Sequence, residues 1–432
     1  MSYGVRRLTI ALAALVLAPA VRASGGEVVD GIGLVWHWER ADGSTGSNRA
    51  DESFNPASVV KVATTLWALE TLGADHRFGT TFGVRGAIDA ESGVLDGDVL
   101  VLGNGDPDFH VENAQLVARR LIDAGIRRVG GSLYVNDAFW IGWEQGADGR
   151  IDDPQRRASL MAKRLADAWN PRTWTPGTVR AMRECRERSG CEAPDVSIEV
   201  ARAGGLDSGG GEWRAVLEHL SNPLAVILKR LNDYSNNDIE RLAYSLGDAA
   251  AMTRFYRERW RDPDPAVSFE TLSGLGSNRL SPRQVVRLLR ELQDRAARHD
   301  LRLADLLPAL GCGRNTLLNY PRLLAGLPQG GLVAKTGTLV QTDGGVVALA
   351  GWIASEGGDV AFCLAAPRNG ARMDAARRAQ SRWLLDLAAG WSVAPAACGP
   401  SDLYSYTGAA VAPVSPALPG QGCSAGGGSP IP

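Results

Sequence analysis

Between Asn55 and Leu72 the chain carries a segment that belongs at the centre of a fold. Pro56 suits the start of a helix, and neither Gly nor Pro follows until Gly73. The spacing therefore predicts one helix of about four turns. Val59, Val60, Val62, Ala63, Leu66, Trp67, Ala68, Leu69 and Leu72 spread apolar surface nearly all the way round it, and such a helix is buried on most sides. Ser58, Lys61 and Thr65, at i, i+3 and i+7, form one polar stripe. A hydroxyl with an amine one turn later is costly to bury, and it becomes useful if the amine takes the hydroxyl proton. The plainer reading is a Ser58 N-cap with a Lys61 that snorkels to solvent.

Lysine usage favours the first reading. Of 46 Lys plus Arg, only Lys61, Lys163, Lys229 and Lys335 are lysine. A site that needs a titratable amine cannot use guanidinium, which does not deprotonate. The four lysines therefore rank as functional candidates. On composition alone, a chance S-x-x-K in such a chain has odds of roughly one in four.

With 432 residues the chain is long enough for two domains, or for one domain with an insertion. A net charge of -2 gives no reason to expect nucleic acid or an anionic membrane surface as partner. Residues 1–23 have the pattern of a signal peptide: Arg6 and Arg7, then an apolar Leu8 to Ala20, then Val21-Arg22-Ala23. The expectation is an exported, soluble, periplasmic protein. Six Cys suit an oxidising compartment. Cys185 and Cys191 could bridge locally, and Cys312, Cys363, Cys398 and Cys423 could form two more bridges in any pairing. The five His are scattered, so neither a metal site nor a Ser-His-Asp site is expected, and no cofactor is implied.

Strands are expected at Gly31–Arg40, Phe82–Ile88, Gly97–Leu102 and Gly131–Val135. Helices are expected at Asn113–Ala124, Pro176–Arg188, Glu212–Asn232, Ile239–Trp260 and Pro282–His299. Gly331–Ala334, Val346–Ala354 and Asp359–Ala366 read as an antiparallel meander, closed by a helix at Met373–Ala389. This gives an α+β chain: a catalytic domain from 24–79 and 212–395, an inserted and mainly β domain at 80–211, and a flexible Pro/Gly-rich tail at 396–432 unless a Cys398–Cys423 bridge pins it.

Two further motifs follow the first. Ser235-Asn236-Asn237 lies between helices, and Lys335-Thr336-Gly337-Thr338 ends an apolar strand. Gly337 would allow another backbone to approach closely. S-x-x-K, S-x-N and K-T-G in this order are the signature of serine penicillin-recognising enzymes. The chain resembles the D-alanyl-D-alanine carboxypeptidase/endopeptidase family, the low-molecular-mass class C penicillin-binding proteins. Phe54-Asn55-Pro56-Ala57-Ser58-Val59-Val60-Lys61 is similar to that family's "f-x-PAS-x-x-K", and Gly103-Asn104-Gly105-Asp106-Pro107 to its "G-x-GDP". Ser221 to Asn237 resembles its "S-x-PL…SDN", and Ala334 to Leu339 with Ala348 to Trp352 its "KTGTL…LAG". The insertion is short for the family. The segment Thr271 to Pro282 is one residue shorter than the family's, without the Arg in its usual place, and Glu240 stands one position early.

The resemblance implies a transpeptidase-like fold, an antiparallel sheet flanked by helices as in penicillin-binding proteins and β-lactamases. It also implies roles. Ser58 is the nucleophile and Lys61 its base. Lys335 and Ser235 carry a proton to the leaving amine, and Asn237 holds the substrate amide. Thr336 and Thr338 bind the terminal carboxylate, Gly337 lines the site, and the N–H groups of Ser58 and Thr338 form the oxyanion hole. The implied activity is that of a serine-type D-Ala-D-Ala carboxypeptidase and/or endopeptidase on peptidoglycan stem peptides ending in D-Ala-D-Ala, with β-lactams as inhibitors. A β-lactamase, or a wall-binding protein of this fold with a decayed site, are the alternatives.

Overall fold

The computed structural model describes residues 28–142, 153–189, 196–207, 211–262, 264–401 and 403–414. The expected signal peptide lies outside them. A two-residue hairpin, β1 (Val28–Val29) and β2 (Ile32–Gly33), precedes β3 (Val35–Arg40) and β4 (Thr45–Asn48). A 3-10 turn, Ala57–Val59, then leads into α1 (Val60–Thr71). Every residue of α1 from Val60 to Leu69 is buried, as an all-round apolar helix requires.

The chain next enters a separate layer. It forms β5 (Gly79–Ile88), β6 (Val94–Gly103), α2 (Val111–Asp123), β7 (Arg128–Val135), α3 (Pro154–Trp169), α4 (Pro176–Ser189), β8 (Glu199–Leu206) and β9 (Arg214–Leu220). These strands make a six-stranded sheet with β13 (Ala410–Pro413) at its edge. β6, β7 and β8 run parallel, so helical crossovers must join them, and α2 and α3 bury their apolar faces on the sheet around Phe82, Val99, Leu133 and Trp169. The insertion is thus as helical as it is β, not mainly β as expected.

Two other expectations are corrected here. Residues 214–220 form a strand rather than the start of a helix. Leu217 and His219 point inward with exposed Glu218 between them, a period of two, and Pro223 at the N-cap keeps α5 (Leu224–Asp233) from starting earlier. β9 pairs with β5, so the sheet continues past the expected boundary at 211. Of the expected flexible tail, residues 396–401 and 403–413 are held in place. Cys398 is bonded to Cys312, not to Cys423, and β13 pairs with β9. Cys363 is a buried free thiol and Cys185 is disulfide-bonded; Cys191 and Cys423 lie outside the described residues.

After α5 the first layer resumes with α6 (Ala243–Leu246), α7 (Ala249–Trp260), α8 (Pro282–Ala297) and α9 (Pro321–Gly326). β10 (Leu332–Leu339), β11 (Val346–Ile353), β12 (Val360–Pro367) and α10 (Met373–Ala388) follow. The strands are antiparallel in the order β10-β11-β12-β3-β4, the expected meander with the N-terminal hairpin added. Both faces are covered. Small residues, Ala348, Ala350, Ala361 and Ala365, face α1 and α8 and let the helices lie close. Larger ones, Leu349, Phe362 and Leu364, meet α10 on the other side. Each such fully buried large side chain stabilises the fold by about 1.5–3 kcal/mol. β10 is left as an edge strand beside the turn that carries Ser58. Among the described residues, no helix is long and apolar enough to cross a membrane.

Candidate active site

The site forms where three segments converge on the start of α1. The first is the turn before Ser58. The Ala57 N–H donates to Asn55 Oδ1 at 3.1 Å, and Ala57 is held at φ 49°, a conformation unusual for a residue with a Cβ. Two glycines explain how the turn is enclosed. A Cβ on Gly337 would lie 2.5 Å from the Pro56 carbonyl oxygen, and one on Gly274 would lie 2.0 Å from that of Ala57. Only glycine lets β10 and the 271–278 loop press against Ser58 from both sides.

Lys61 sits one turn along and is fully buried. Its Nζ donates to Ser58 Oγ at 3.1 Å, to Asn237 Oδ1 at 3.3 Å and to the Ser273 carbonyl at 2.6 Å. Burial lowers its pKa from 10.5 to about 7, while the carboxylates of Glu240 and Asp238 oppose the fall. Lys335, also fully buried, donates to Ser235 Oγ at 2.9 Å and to the Thr336 carbonyl at 3.0 Å. Burial, and then the charge of nearby Lys61, push it well below the ordinary lysine value. Ser235 itself is held at φ 53° by the turn that follows α5.

All eight residues singled out in the sequence are therefore placed. Lys61 contacts Ser58 and Asn237 directly, Lys335 contacts Ser235 directly, and the two lysines are near enough for the charge of one to act on the other, with Gly337 packed on the Ser58 turn. Thr336 is buried beside Lys335, while the half-buried Thr338 turns its hydroxyl toward α10, 3.5 Å from an Arg377 guanidinium nitrogen. The polar stripe is completed by Thr65, whose Oγ1 accepts from Asn232 at 3.0 Å. Lysine scarcity was half informative. Lys163 is an exposed partner of Asp167, and Lys229 is a buried strut that pairs with Asp233 at 3.0 Å and donates to the Leu307 carbonyl.

The sequence motifs did not show what aims Lys61. Glu240 accepts the backbone N–H groups of Leu272 and Ser273 at 3.0 and 2.9 Å, and so points the Ser273 carbonyl at Lys61. Its one-position displacement signals the residue but not the role, because the group it orients is backbone. On the opposite rim, Asp343 binds Asn55 at 2.7 Å and Arg279 at 2.8 Å, tying the loop after β10 to both other segments. Asp108 pairs with Arg230 of α5 at 3.0 Å in a buried seam between the two layers. Beside it, burial raises Asp106 to about 7. Among the described residues, no group of three or more His, Cys, Asp or Glu is placed to hold a metal.

This geometry can be compared with known proteins. Residues 38–159 and 265–387, more than half of the chain, match the model of the D-Ala-D-Ala carboxypeptidase 3 (S13) family. A D-alanyl-D-alanine carboxypeptidase of Actinomadura sp. (strain R39) is 36% identical over 94 residues; the match covers 22% of this chain and only 17% of that relative's length. Among solved structures, a predatory endopeptidase from Bdellovibrio bacteriovorus in complex with an immunity protein superimposes with a TM-score of 0.74 at 20% identity, over 88% of this chain and 99% of that one. Penicillin binding protein 4 of Haemophilus influenzae gives a TM-score of 0.57 at 19% identity, over 82% and 95% of the two chains. At these identities the structural likeness establishes the fold.

Proposed function

The chain belongs to the D-Ala-D-Ala carboxypeptidase 3 (S13) family of peptidases, and from that membership we propose that it cleaves peptidoglycan stem peptides ending in D-Ala-D-Ala through an acyl-enzyme on Ser58. One observation carries the reading: a buried lysine with a pKa of about 7 donates a hydrogen bond to the Ser58 hydroxyl. At neutral pH a large share of Lys61 is uncharged and can accept the hydroxyl proton.

Ser58 Oγ then attacks the carbonyl of the penultimate D-Ala. The substrate lies extended along the open edge of β10, with its amide on Asn237. The N–H groups of Ser58 and Thr338 receive the oxyanion. Ser235, bonded to Lys335, delivers a proton to the departing amine and is restored by the proton that Lys61 took from Ser58, so Lys61 is neutral again, and Thr336 and Thr338 hold the terminal carboxylate. Water, deprotonated by Lys61, then releases the acyl group and restores Ser58. β-Lactams acylate the same oxygen. Glu240 is a positioning residue, since it acts through the Ser273 carbonyl. The same reading places the protein in an oxidising compartment, the periplasm, and the Cys312–Cys398 disulfide supports that location.

The test is a fluorescent penicillin together with D-Ala release from a pentapeptide. The native protein is expected to form a covalent adduct and release D-Ala, and Ser58→Ala to do neither. Undiminished labelling of Ser58→Ala would remove Ser58 as nucleophile. Fast turnover of a chromogenic cephalosporin without D-Ala release would make the protein a β-lactamase, and no release of any kind a wall-binding protein.

A further inference from the structure

The carboxylate end of the site has a feature that none of the three motifs contains. Residues alternate along β10. Lys335 and Gly337 face the catalytic cleft, one touching Ser235 and the other packed on Pro56 and Ala57. Thr338 lies on the opposite side of the strand, at the same open edge, and its hydroxyl is 3.5 Å from an Arg377 nitrogen. Arg377 belongs to α10, the helix that covers the far face of the sheet. Its guanidinium is held by the packed helix, yet its side chain is still 25% exposed. Its acidic neighbour, Asp374 at 3.1 Å, is 82% exposed, so that pair is an open surface contact that leaves other guanidinium N–H groups to a ligand.

A free carboxylate bound at Thr338 needs a cation beside it. Lys335 is poorly suited to supply all of that charge. It is sealed from solvent, its Nζ is already occupied by Ser235 Oγ and the Thr336 carbonyl, and the neighbouring Lys61 disfavours its protonated form. Guanidinium keeps its charge at every accessible pH, and its planar fork matches the two oxygens of a carboxylate.

We propose that Arg377 is a substrate-binding residue that recognises the free carboxylate on the leaving side of the scissile bond, acting with the Thr338 hydroxyl, and so makes the enzyme selective for acyl groups whose leaving residue is anionic. This rests on the Ser58 acyl-enzyme reading above and deepens it. Arg377 takes no part in proton transfer, so its role is confined to the part of the substrate that carries the negative charge.

The experiment compares two peptides of identical sequence ending in D-Ala-D-Ala, one with a free C-terminal carboxylate and one with a C-terminal amide. kcat/KM is measured for the native enzyme, Arg377→Ala, Arg377→Gln and Arg377→Lys. The native enzyme is expected to prefer the carboxylate. Arg377→Ala and Arg377→Gln are expected to lose about 10- to 100-fold on the carboxylate peptide, the range for a charge-assisted contact. On the amide they should change by no more than about threefold, the scatter common to context-dependent contacts. Arg377→Lys should recover part of the preference. Arg377→Gln keeps the aliphatic stem, so it reads the charge even if the alanine variant folds poorly. Equal losses on both peptides would make Arg377 a packing residue and overturn the proposal, as would full retention of the native preference in Arg377→Gln. A native enzyme that cleaves both peptides equally well would instead overturn the assignment of a carboxylate site to Thr336 and Thr338.

Discussion

The acid limb of the acylation rate can be worked out from the surroundings of Lys61. An ordinary lysine, with a pKa of 10.5, would be neutral in only about 1 molecule in 3000 at pH 7, whereas a lysine with a pKa of about 7 is neutral in roughly half. Burial therefore raises the supply of free base by about three orders of magnitude. With Lys61 as the proposed base, its protonation would block removal of the Ser58 proton, so labelling by a fluorescent penicillin should fall about tenfold per pH unit below a midpoint near 7 and level off above it. At pH 5.5 the rate should be roughly 30-fold below its plateau. Glu240→Gln tests the cause. The Glu240 charge favours the protonated amine, and removing it should move the midpoint to lower pH. The side-chain oxygen of the introduced glutamine can keep one of the two backbone contacts to Leu272 and Ser273, so the plateau itself should drop while the fraction retained at pH 5.5 rises. The assay is second-order labelling from pH 5 to 9, each variant scaled to its own plateau. A flat profile, a midpoint above 9, or a Glu240→Gln midpoint displaced toward higher pH would refute Lys61 as the desolvated base.

Gly337→Ala would place a methyl 2.5 Å from the Pro56 carbonyl; thermal unfolding should show a loss of about 1–3 kcal/mol from overpacking, with penicillin labelling slowed at least tenfold as β10 moves off the Ser58 turn. Cys312→Ser opens a crosslink that spans 86 residues; urea unfolding should show about 2–4 kcal/mol lost, and adding reductant should destabilise the native protein by more than it does the variant, in which the bridge at Cys185 is still open to reduction.

Much of the secondary structure of the catalytic layer could be read from residue spacing, whereas the roles of its residues came from the resemblance of three motifs to a known family. Ser58 and Lys61 are one helical turn apart, and the hydrophobic periods of β10 to β12 and α10 are regular. The rest depended on partners distant in sequence. The stretch Arg214-Ala215-Val216-Leu217-Glu218-His219-Leu220 suits helix or strand by composition, and pairing with β5 decides it. The residues after Ala396 are Pro/Gly-rich and read as loose chain. Of these, residues 397–401 and 403–413 are held by a disulfide, by Arg230 and Asn222 binding the backbone at Leu403 to Ser405, and by β13. Arg377 belongs to no motif, since only the packing of α10 behind β10 brings it to Thr338. Glu240 could be noticed but not interpreted, because what it orients is a carbonyl.

The strand order of the catalytic sheet also dictates the timing of assembly. β3, from the first tenth of the chain, pairs with β12, and β12 in turn completes the meander that contains Lys335. The insertion closes earlier, when β9 returns to β5. A chain folding from its N-terminus can therefore build five strands of the insertion while the catalytic half is still waiting for residue 367, holding the apolar α1 without its cover in the meantime. The first layer to fold contains none of the three motifs. Lys335 reaches the site only with β10, so a chain that ends before residue 332 lacks that half of the site.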